Sequence, residues 1–400
     1  MTLVPPGSGD PELSVVMVTY GAWALAEQAV AALVANTDRP FELIVVDNRS
    51  DDETRRRLSE LGNARVIFNE ENHGFGPATN QGAEKARGEY LLLLNTDAFV
   101  HPGWVEPLLE ALQQDAIGAV VPRLLHTDGS LQDAGTLLAQ DGTVHVYGDG
   151  DDPDRLCYRF RRIVDLGTAA CMLIRRSTFA ALGGFDDRFA PAYYEDADLC
   201  LRLAQHGLKV LYEPRSTVTH VRYGSGGLDD AAALSALHRR LFVARWGSRL
   251  IGRPWTFVSV TEQAVIMARD APASPRVLVC APAGDPGAAR LAQVLLECWP
   301  FARVTWAIGT QTADDRDISP WLSIGVDVVN QADPSWLDER LFHDDLVVLG
   351  DKLDARLLSA LDRTQPQAPQ VNLSELDDLP EMRSPVLPLL VAAGIAPPIL

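Results

Sequence analysis

Short apolar runs alternate with amphipathic segments over the first hundred residues of the chain. Four runs have the length and β-branched content of buried strands, at 13–20, 41–47, 65–68 and 90–94. Helical patterns occupy the intervals, at about 23–35, 50–61 and 77–86. Because strand and helix alternate, the pattern predicts a parallel sheet with helices on both faces.

The same unit continues to about residue 250. Within it, the Gly- and Asp-rich stretch 141–154 is typical of a flexible loop. The remaining patterns predict a strand at 167–174, helices at 177–182 and 196–206, strands at 210–213 and 218–220, and a longer helix at about 229–246.

The pattern starts again at residue 275, with strands predicted at 276–280, 304–308, 326–330 and 345–349 and helices at about 286–297 and 353–362. We therefore predict a catalytic domain at 1–250, a linker at 251–274 and a smaller Rossmann-like α/β accessory domain at 275–400. The turn at 281–287 leaves a second nucleotide site open, although association with a partner or with a second copy is the preferred interpretation.

Composition narrows the class of protein. The chain has a net charge of −19, whereas nucleic-acid-binding proteins are usually basic. It has no run of 18 apolar residues, so we expect no membrane-spanning helix. Its five cysteines form no CxxC pair, and residues 1–10 lack the basic and apolar regions of a secretory signal. We expect a cytoplasmic protein that binds no nucleic acid.

Polar side chains stand at the carboxyl ends of three predicted strands: Thr19, Asp47 and Asp97. Ligands bind beyond this edge of a parallel sheet. Asp47 fits either a bond to a nucleobase or ribose or a helix-capping turn. Asn95-Thr96-Asp97 fits either a strand-end turn or a site where hard oxygen ligands hold Mg²⁺ or Mn²⁺ beside a diphosphate.

A glycine-containing turn, Asn72 to Asn80, leads into a predicted helix. Glycines let a backbone approach a ligand closely, and a helix N-terminus favours anions. The turn has neither P-loop nor GxGxxG spacing, so a purely structural turn is the alternative.

Three carboxylates, Glu195, Asp196 and Asp198, cluster where a helix is predicted to start after Tyr193 and Tyr194. They fit either a helix capped by negative charge or a general base that takes a proton from an acceptor hydroxyl.

His220 and Arg222 follow a β-like stretch. A lone histidine is more often structural, but a neutral imidazole is also a good Mn²⁺ ligand beside a carboxylate, and Arg222 suits a phosphate. Arginines on the last predicted helix and its flank fit either a solvated face or contact with an anionic lipid surface or a diphosphate-bearing acceptor: Arg239, Arg240, Arg245, Arg249 and Arg253.

Taken in order, residues 13–250 resemble family 2 glycosyltransferases of the GT-A fold, in the bacterial rhamnosyltransferase-like branch. The motifs that carry the resemblance are Val18-Thr19-Tyr20, Val46 to Ser50, Asn72 to Gly76 with Asn80 and Gly82, Asn95 to Ala98, and Gly183 to Asp186 leading to Tyr194 to Cys200.

The resemblance implies an α/β GT-A fold and inverting transfer of a rhamnose-like sugar from a dTDP- or UDP-linked donor to a saccharide or lipid-linked acceptor. It implies donor contacts from Thr19, Tyr20, Asp47, Asn48, Gly74, Phe75, Gly76, Asn80, Asn95, Thr96 and Arg222. It implies acceptor contacts from Phe185, Asp186, Tyr194 and Asp198. Asp97 and His220 would bind Mn²⁺ or Mg²⁺, and Asp196 would be the base, with Glu195 as the alternative. Peripheral contact with the inner face of a membrane and self-association are further expectations.

Two positions depart from the family pattern. Gly21 stands where this branch usually has Asn, and Asn95 replaces the first Asp of a full metal motif, which leaves one charged ligand fewer. A nucleotidyltransferase is disfavoured because residues 19–23 lack a basic Gly-rich loop. A non-catalytic nucleotide-sugar-binding or scaffold protein on the same fold is the remaining alternative.

Overall fold

The computed structural model describes residues 11–222, 228–257, 262–270, 273–282, 284–299, 302–308, 314–330, 332, 336–337, 344–351, 353 and 355–376. The chain divides into two compact units. The first contains Met1–Pro153 and Val164–Phe257, and the second contains Asp154–Ile163 and Val258–Leu400. A short segment from the middle of the chain therefore groups with the later unit.

The strands up to residue 220 are β1 (Leu13–Thr19), β2 (Phe41–Asp47), β3 (Ala64–Phe68), β4 (Tyr90–Leu94), β5 (Ala98–Val100), β6 (Ile117–Leu125), β7 (Leu131–Asp133), β8 (Thr136–Leu138), β9 (Val144–Val146), β10 (Arg162–Val164), β11 (Cys171–Arg175) and β12 (Lys209–His220). The helices of the first unit are α1 (Trp23–Asn36), α2 (Asp52–Ser59), α3 (Phe75–Glu84), α4 (Val105–Leu112), α5 (Arg176–Ala181), α6 (Glu195–Gln205) and α7 (Leu228–Leu250).

The central sheet of the first unit is mixed. Its strands follow the order β12, β6, β11, β4, β1, β2, β3. The four strands from β4 to β3 are parallel, with Thr19 opposite Asp47 at their carboxyl ends. Strand β11 runs antiparallel to both β4 and β6, while β12 is parallel to β6. A parallel half joined to a mixed half matches the predicted α/β GT-A architecture.

Apolar residues explain the parallel half. The strand residues of β4 are all buried, and β1 and β2 are buried at all but one position each. Strands covered on both faces need such continuous apolar runs. Gly82 of α3 allows close packing on this sheet, because a Cβ there would lie 2.5 Å from a methyl group of Val16.

Three local predictions were wrong. The stretch predicted as a flexible loop at 141–154 contains β9, which pairs with β8 in a hairpin. The strands predicted at 210–213 and 218–220 form one strand, β12, whose register shifts between Glu213 and Thr217. The strand predicted from residue 167 begins at Cys171.

The second unit contains a parallel sheet. Its strands follow the order β15, β14, β13, β16, β17, with β13 (Arg276–Cys280), β14 (Arg303–Ala307), β15 (Asp327–Val329), β16 (Leu346–Leu349) and β17 (Gln370–Asn372). Its helices are α8 (Glu262–Asp270), α9 (Pro286–Cys298), α10 (Asp315–Ile324) and α11 (Ala355–Thr364). Helix α8 lies within the segment expected to be a linker, and the sequence-based boundaries of the parts remain a prediction.

Candidate active site

The carboxyl edge of the parallel strands holds a buried carboxylate. Asp47 is fully buried, and one oxygen accepts a hydrogen bond from the Ser50 amide at 3.1 Å. The other oxygen has no hydrogen-bond partner and lies 3.7 Å from the Arg55 Nε. Beside it, the buried Thr19 hydroxyl donates to the Gly21 carbonyl at 3.0 Å. An unpartnered buried oxygen is costly, so a donor group of a ligand at this edge would be favoured.

Asn48 holds the neighbouring glycine turn in place. Its amide nitrogen donates to the Asn72 side chain at 2.9 Å and to the Gly74 carbonyl at 3.0 Å. Its amide oxygen accepts from the Asn69 side chain at 3.0 Å and from the His73 amide at 3.2 Å. With these four bonds made, the Asn48 side chain shapes the turn and has little capacity left for a ligand.

The glycine turn packs directly against the segment that precedes α6. Gly74 has a φ of +88°, and a Cβ there would lie 2.5 Å from the Pro191 Cα. The Phe75 amide donates to the Pro191 carbonyl at 2.6 Å. A Cβ at Gly76 would meet the Phe185 and Glu195 side chains at 3.3 and 3.9 Å. The glycines therefore serve a close approach between two parts of the site.

Asn80 joins α3 to the Gly184-Phe185 backbone. Its nitrogen donates to the Phe185 carbonyl at 2.9 Å, and its oxygen accepts from the Phe185 amide at 2.8 Å. Phe185 itself is buried and contacts the rings of Phe75 and Phe179. These contacts give Asn80 and Phe185, which were both predicted to bind ligands, a structural role.

Asp97 and His220 meet at the end of β12, because β5 pairs antiparallel with it and sets His220 opposite Ala98. The His220 Nε2 lies 3.3 Å from an Asp97 oxygen and 3.4 Å from the Asn95 amide nitrogen. The residues described contain no group of three or more His, Cys, Asp or Glu side chains placed to hold a metal ion. Asp97 and His220 are the two side chains that would hold a cation here.

Gln132 fixes the tautomer of His220. Its amide nitrogen donates to the His220 carbonyl at 2.9 Å, which leaves its oxygen facing the His220 Nδ1 at 2.7 Å. The Nδ1 must then carry a hydrogen, so the Nε2, which faces Asp97, is the ring nitrogen available to a ligand when the imidazole is neutral. Gln132 carries no signal in the sequence, because its partner is 88 residues away.

The same chain of hydrogen bonds continues outward. The Gln132 nitrogen also contacts the His126 Nδ1 at 3.0 Å, and the His126 Nε2 contacts Asp149 at 2.8 Å. Arg222, which the resemblance assigns to the donor, donates to Asp149 at 2.8 Å, and its contact with phosphate stays a prediction.

The segment before α6 is held in an unfavourable backbone conformation. Tyr193 and Tyr194 have φ values of 76° and 72°, which cost non-glycine residues about 1 kcal/mol each. Tyr194 is buried, its hydroxyl donates to the Gly142 carbonyl at 2.8 Å, and burial raises its pKa to about 12. Strain of this kind is concentrated at functional sites.

Glu195 and Asp196 have different environments. Glu195 is buried, one of its oxygens has no hydrogen-bond partner, and burial raises the pKa of its carboxyl group well above the usual range. Asp196 is half-buried and accepts hydrogen bonds from the Ala197 amide at 2.7 Å and the Ala169 amide at 3.4 Å. Loss of hydration also raises the pKa of Asp196. A partly accessible carboxylate with a raised pKa suits proton abstraction better than a buried neutral acid.

Side chains of α7 bind Asp186 and Asp198, two of the residues predicted to contact the acceptor. Asp198 is fully buried, and its oxygens accept from Arg202 at 2.7 Å, Trp246 at 2.9 Å and Arg245 at 2.8 Å. Asp186 pairs with Arg188 and Arg245, and these cations hold the pKa of its carboxyl group below the usual range. The contacts of Asp198 favour a structural role over contact with an acceptor.

Hydrogen bonds to two neighbouring backbone residues, Ala169 and Ala170, bring the surroundings of Asp196 and His220 together. Asp196 accepts a hydrogen bond from the Ala169 backbone amide. The carbonyl of the next residue, Ala170, accepts one from the Asn95 backbone amide at 2.9 Å, and the Asn95 side chain contacts His220. Of the other predicted residues, Tyr20 is 53% exposed next to Thr19, whereas Thr96 is buried beside Asp97. One sheet edge thus gathers a carboxylate–imidazole pair, a half-buried carboxylate and an unpartnered buried oxygen.

This edge combines a side-chain pair that could hold a cation with a carboxylate that could take up a proton. Residues 14–182 match the family model described as "Glycosyl transferase family 2". Over 255 residues the chain is 30% identical to an N-acetylglucosaminyl-diphospho-decaprenol L-rhamnosyltransferase of Mycobacterium tuberculosis, covering 58% of this chain and 83% of the relative. The chain belongs to glycosyltransferase family 2 and is a glycosyltransferase, as the sequence motifs predicted.

Two further similarities are more partial. The chain is 33% identical over 226 residues to the O-antigen biosynthesis protein RfbC of Myxococcus xanthus, covering 54% of this chain but only 18% of that protein. A crystal structure of GalNAc-T7 with UDP, GalNAc and Mn²⁺ matches with a TM-score of 0.46 and 19% identity, covering 65% of this chain and 55% of that one. Across the described residues, no helix is both long and apolar enough to span a membrane.

Proposed function

We propose that the chain catalyses inverting transfer of a rhamnose-like sugar from a dTDP- or UDP-linked donor to a hydroxyl of a saccharide or lipid-linked acceptor. The observation that carries the proposal is the half-buried Asp196 carboxylate, held by the Ala169 amide next to Ala170, whose carbonyl bonds the backbone of Asn95 beside the Asp97–His220 pair. The mycobacterial relative, whose name specifies a rhamnosyltransferase acting on a diphospho-decaprenol-linked sugar, supports the choice of sugar and acceptor.

The donor nucleoside would bind at the carboxyl ends of β1 and β2. The unpartnered Asp47 oxygen would accept a hydrogen bond from its base or ribose, and Thr19 would line the same position. Tyr20 is exposed next to them and supplies an aromatic surface. Asn48 and Asn80 would act indirectly, by holding the turn and α3 in place.

Asp97 and His220 fit a divalent metal, because a carboxylate oxygen and an imidazole lone pair face each other across 3.3 Å. Mn²⁺ or Mg²⁺ held there would neutralise the charge that develops on the diphosphate leaving group. Gln132 would hold the Nδ1–H of His220 and so orient the Nε2 for such a role.

Asp196 would act as the general base. It would take the proton of the acceptor hydroxyl while that oxygen bonds to the anomeric carbon, and the bond from this carbon to the diphosphate oxygen would break on the opposite face. Configuration at the anomeric carbon is inverted by such a single displacement. The raised pKa of Asp196 keeps the carboxylate a stronger base than an exposed one.

Replacing Asp196 by Asn tests this assignment. We expect Asp196→Asn to lower kcat by about 10²–10⁴-fold, because general-base catalysis contributes that much, while donor binding stays within about twofold. Donor binding is measured by thermal stabilisation with dTDP- and UDP-sugars in the presence of Mn²⁺. The matched control is Asp115→Asn, which changes an exposed carboxylate outside the site. Near-normal turnover of Asp196→Asn would refute the assignment.

A further inference from the structure

The outer face of α7 carries exposed apolar side chains. Leu237 and Leu241, one helical turn apart, are 53% and 43% exposed. The chain that follows the helix adds Ile251 and Trp255, at 71% and 68% exposed. We call these four residues the apolar stripe. Large apolar groups that stay exposed together mark interaction surfaces.

The inner face of the same helix is anchored in the first unit. Phe242 and Trp246 are buried, and Trp246 donates to Asp198. His238 contacts the Ala192 carbonyl at 2.9 Å. The apolar stripe is therefore presented by a fixed helix, and its exposure is not the consequence of a loosely packed element.

After Asp229 and Asp230 at its start, α7 and the chain that follows it as far as residue 257 carry only basic charges. Residues 231–257 contain five arginines and no acidic residue, although the whole chain has a net charge of −19. Three of these arginines pair with acids of the first unit: Arg239 with Asp141, Arg245 with Asp186 and Asp198, and Arg253 with Asp165. The other two, Arg240 and Arg249, are exposed and have no ion-pair or hydrogen-bond partner among the residues described.

We propose that the apolar stripe, with Arg240 and Arg249, docks the protein on an anionic phospholipid bilayer. Apolar side chains on a basic helix face enter the boundary between headgroups and acyl chains, and arginines bind the headgroup phosphates. A second copy fits this surface less well, because pairing two such faces would bring like charges together. The acidic remainder of the chain is repelled by the same bilayer, so this face determines the orientation of docking.

Sedimentation of the full chain with vesicles tests the proposal. We expect binding to phosphatidylglycerol–phosphatidylcholine vesicles, weaker binding as salt rises, and little binding to phosphatidylcholine alone. Equal binding to both vesicle types, or to neither, would overturn it. Asp196→Asn should bind vesicles like the unchanged protein. A failure of the membrane proposal can therefore be distinguished from a failure of the proposed sugar transfer.

Paired variants locate the contact. Arg240→Glu with Arg249→Glu should weaken partitioning by at least tenfold, since each basic residue near the surface contributes about fivefold. Leu241→Ser with Trp255→Ser should weaken it by a similar factor. Ile324→Ser with Leu358→Ser, which changes exposed apolar residues of the second unit, is the matched control and should have no effect. If the stripe variants bind vesicles normally, or instead abolish a dimer seen by light scattering, the proposal is wrong.

Discussion

At the scale of single residues, the proposed metal site depends on a side chain that is not a ligand. Gln132 can make its bond to the His220 carbonyl in only one amide orientation, and that orientation sets the protonated nitrogen of the imidazole. Residues that orient metal-ligating histidines commonly change metal affinity by 10–100-fold when replaced.

We therefore expect Gln132→Leu to weaken Mn²⁺ binding by about tenfold or more, measured by calorimetry on the full chain without donor. Leu keeps the approximate volume but frees the imidazole to rotate and to protonate either nitrogen. Gln28→Leu, at an exposed position of α1, is the control and should leave the affinity unchanged. Unchanged Mn²⁺ affinity in Gln132→Leu would show that the histidine needs no such support.

The residues proposed for chemistry and those that support them differ in how far the sequence predicts them. Asp97, Asp196 and His220 stand out in the sequence because they lie in the turn after β4, in the first turn of α6 and at the end of β12. Gln132 and Trp246 carry no local signal, since their partners lie 88 and 48 residues away. Asn48 stands in a motif, but its four hydrogen bonds become visible only when the turn folds over it.

At the scale of elements, the glycine turn and the segment before α6 must approach within backbone contact. Gly74 and Gly129 both have positive φ values, of 88° and 89°, so a side chain at either position strains the backbone similarly. A Cβ at Gly74 would collide with the Pro191 backbone, whereas a Cβ at Gly129 would meet nothing within 4 Å.

Comparison of the two alanine variants separates strain from collision. Gly129→Ala should cost about 1 kcal/mol in the free energy of unfolding, from backbone strain alone. Gly74→Ala should cost at least about 2 kcal/mol more and reduce kcat, because Pro191 and the base region after it must shift. Both are measured by urea unfolding and by transfer assays. Similar losses in the two variants would mean that the close approach is not needed.

The elements themselves were predictable where burial is two-sided. The apolar runs of β1, β2 and β4 leave no other interpretation than buried strands, and the structure confirms them. Strand β9 escaped prediction because only three residues pair, within a Gly- and Asp-rich stretch. Strand β12 was predicted as two pieces because Pro214 and Ser216 interrupt its apolar pattern at the register shift.

At the scale of the whole molecule, the second unit recruits a segment that precedes it by almost a hundred residues. Phe160 of the segment Asp154–Ile163 is fully buried in the core of this unit. The guanidinium groups of Arg303, Arg269 and Arg162 lie 4.6, 5.1 and 5.4 Å from its ring centre. Asp270 pairs with Arg269 at 2.8 Å and with Arg303 at 2.9 Å, and Asp327 pairs with Arg269 at 2.7 Å, so two carboxylates balance these two charges. No periodicity in residues 154–163 predicts the burial of Phe160, because two of the three arginines around it, Arg269 and Arg303, come from a distant part of the chain.

Phe160 therefore provides a way to perturb one unit alone. Two compact units are expected to unfold in two thermal transitions. Phe160→Ala should lower the midpoint of one transition by about 10 °C, since emptying a buried aromatic site costs about 3–5 kcal/mol. A nucleotide-sugar donor with Mn²⁺ should raise the other transition, because the proposed donor site lies entirely within the first unit. Leu358→Ala, at an exposed position of α11, is the control and should move neither transition. If Phe160→Ala lowers the transition that the donor raises, the segment contributes to the stability of the first unit instead, and the assignment of 154–163 is wrong.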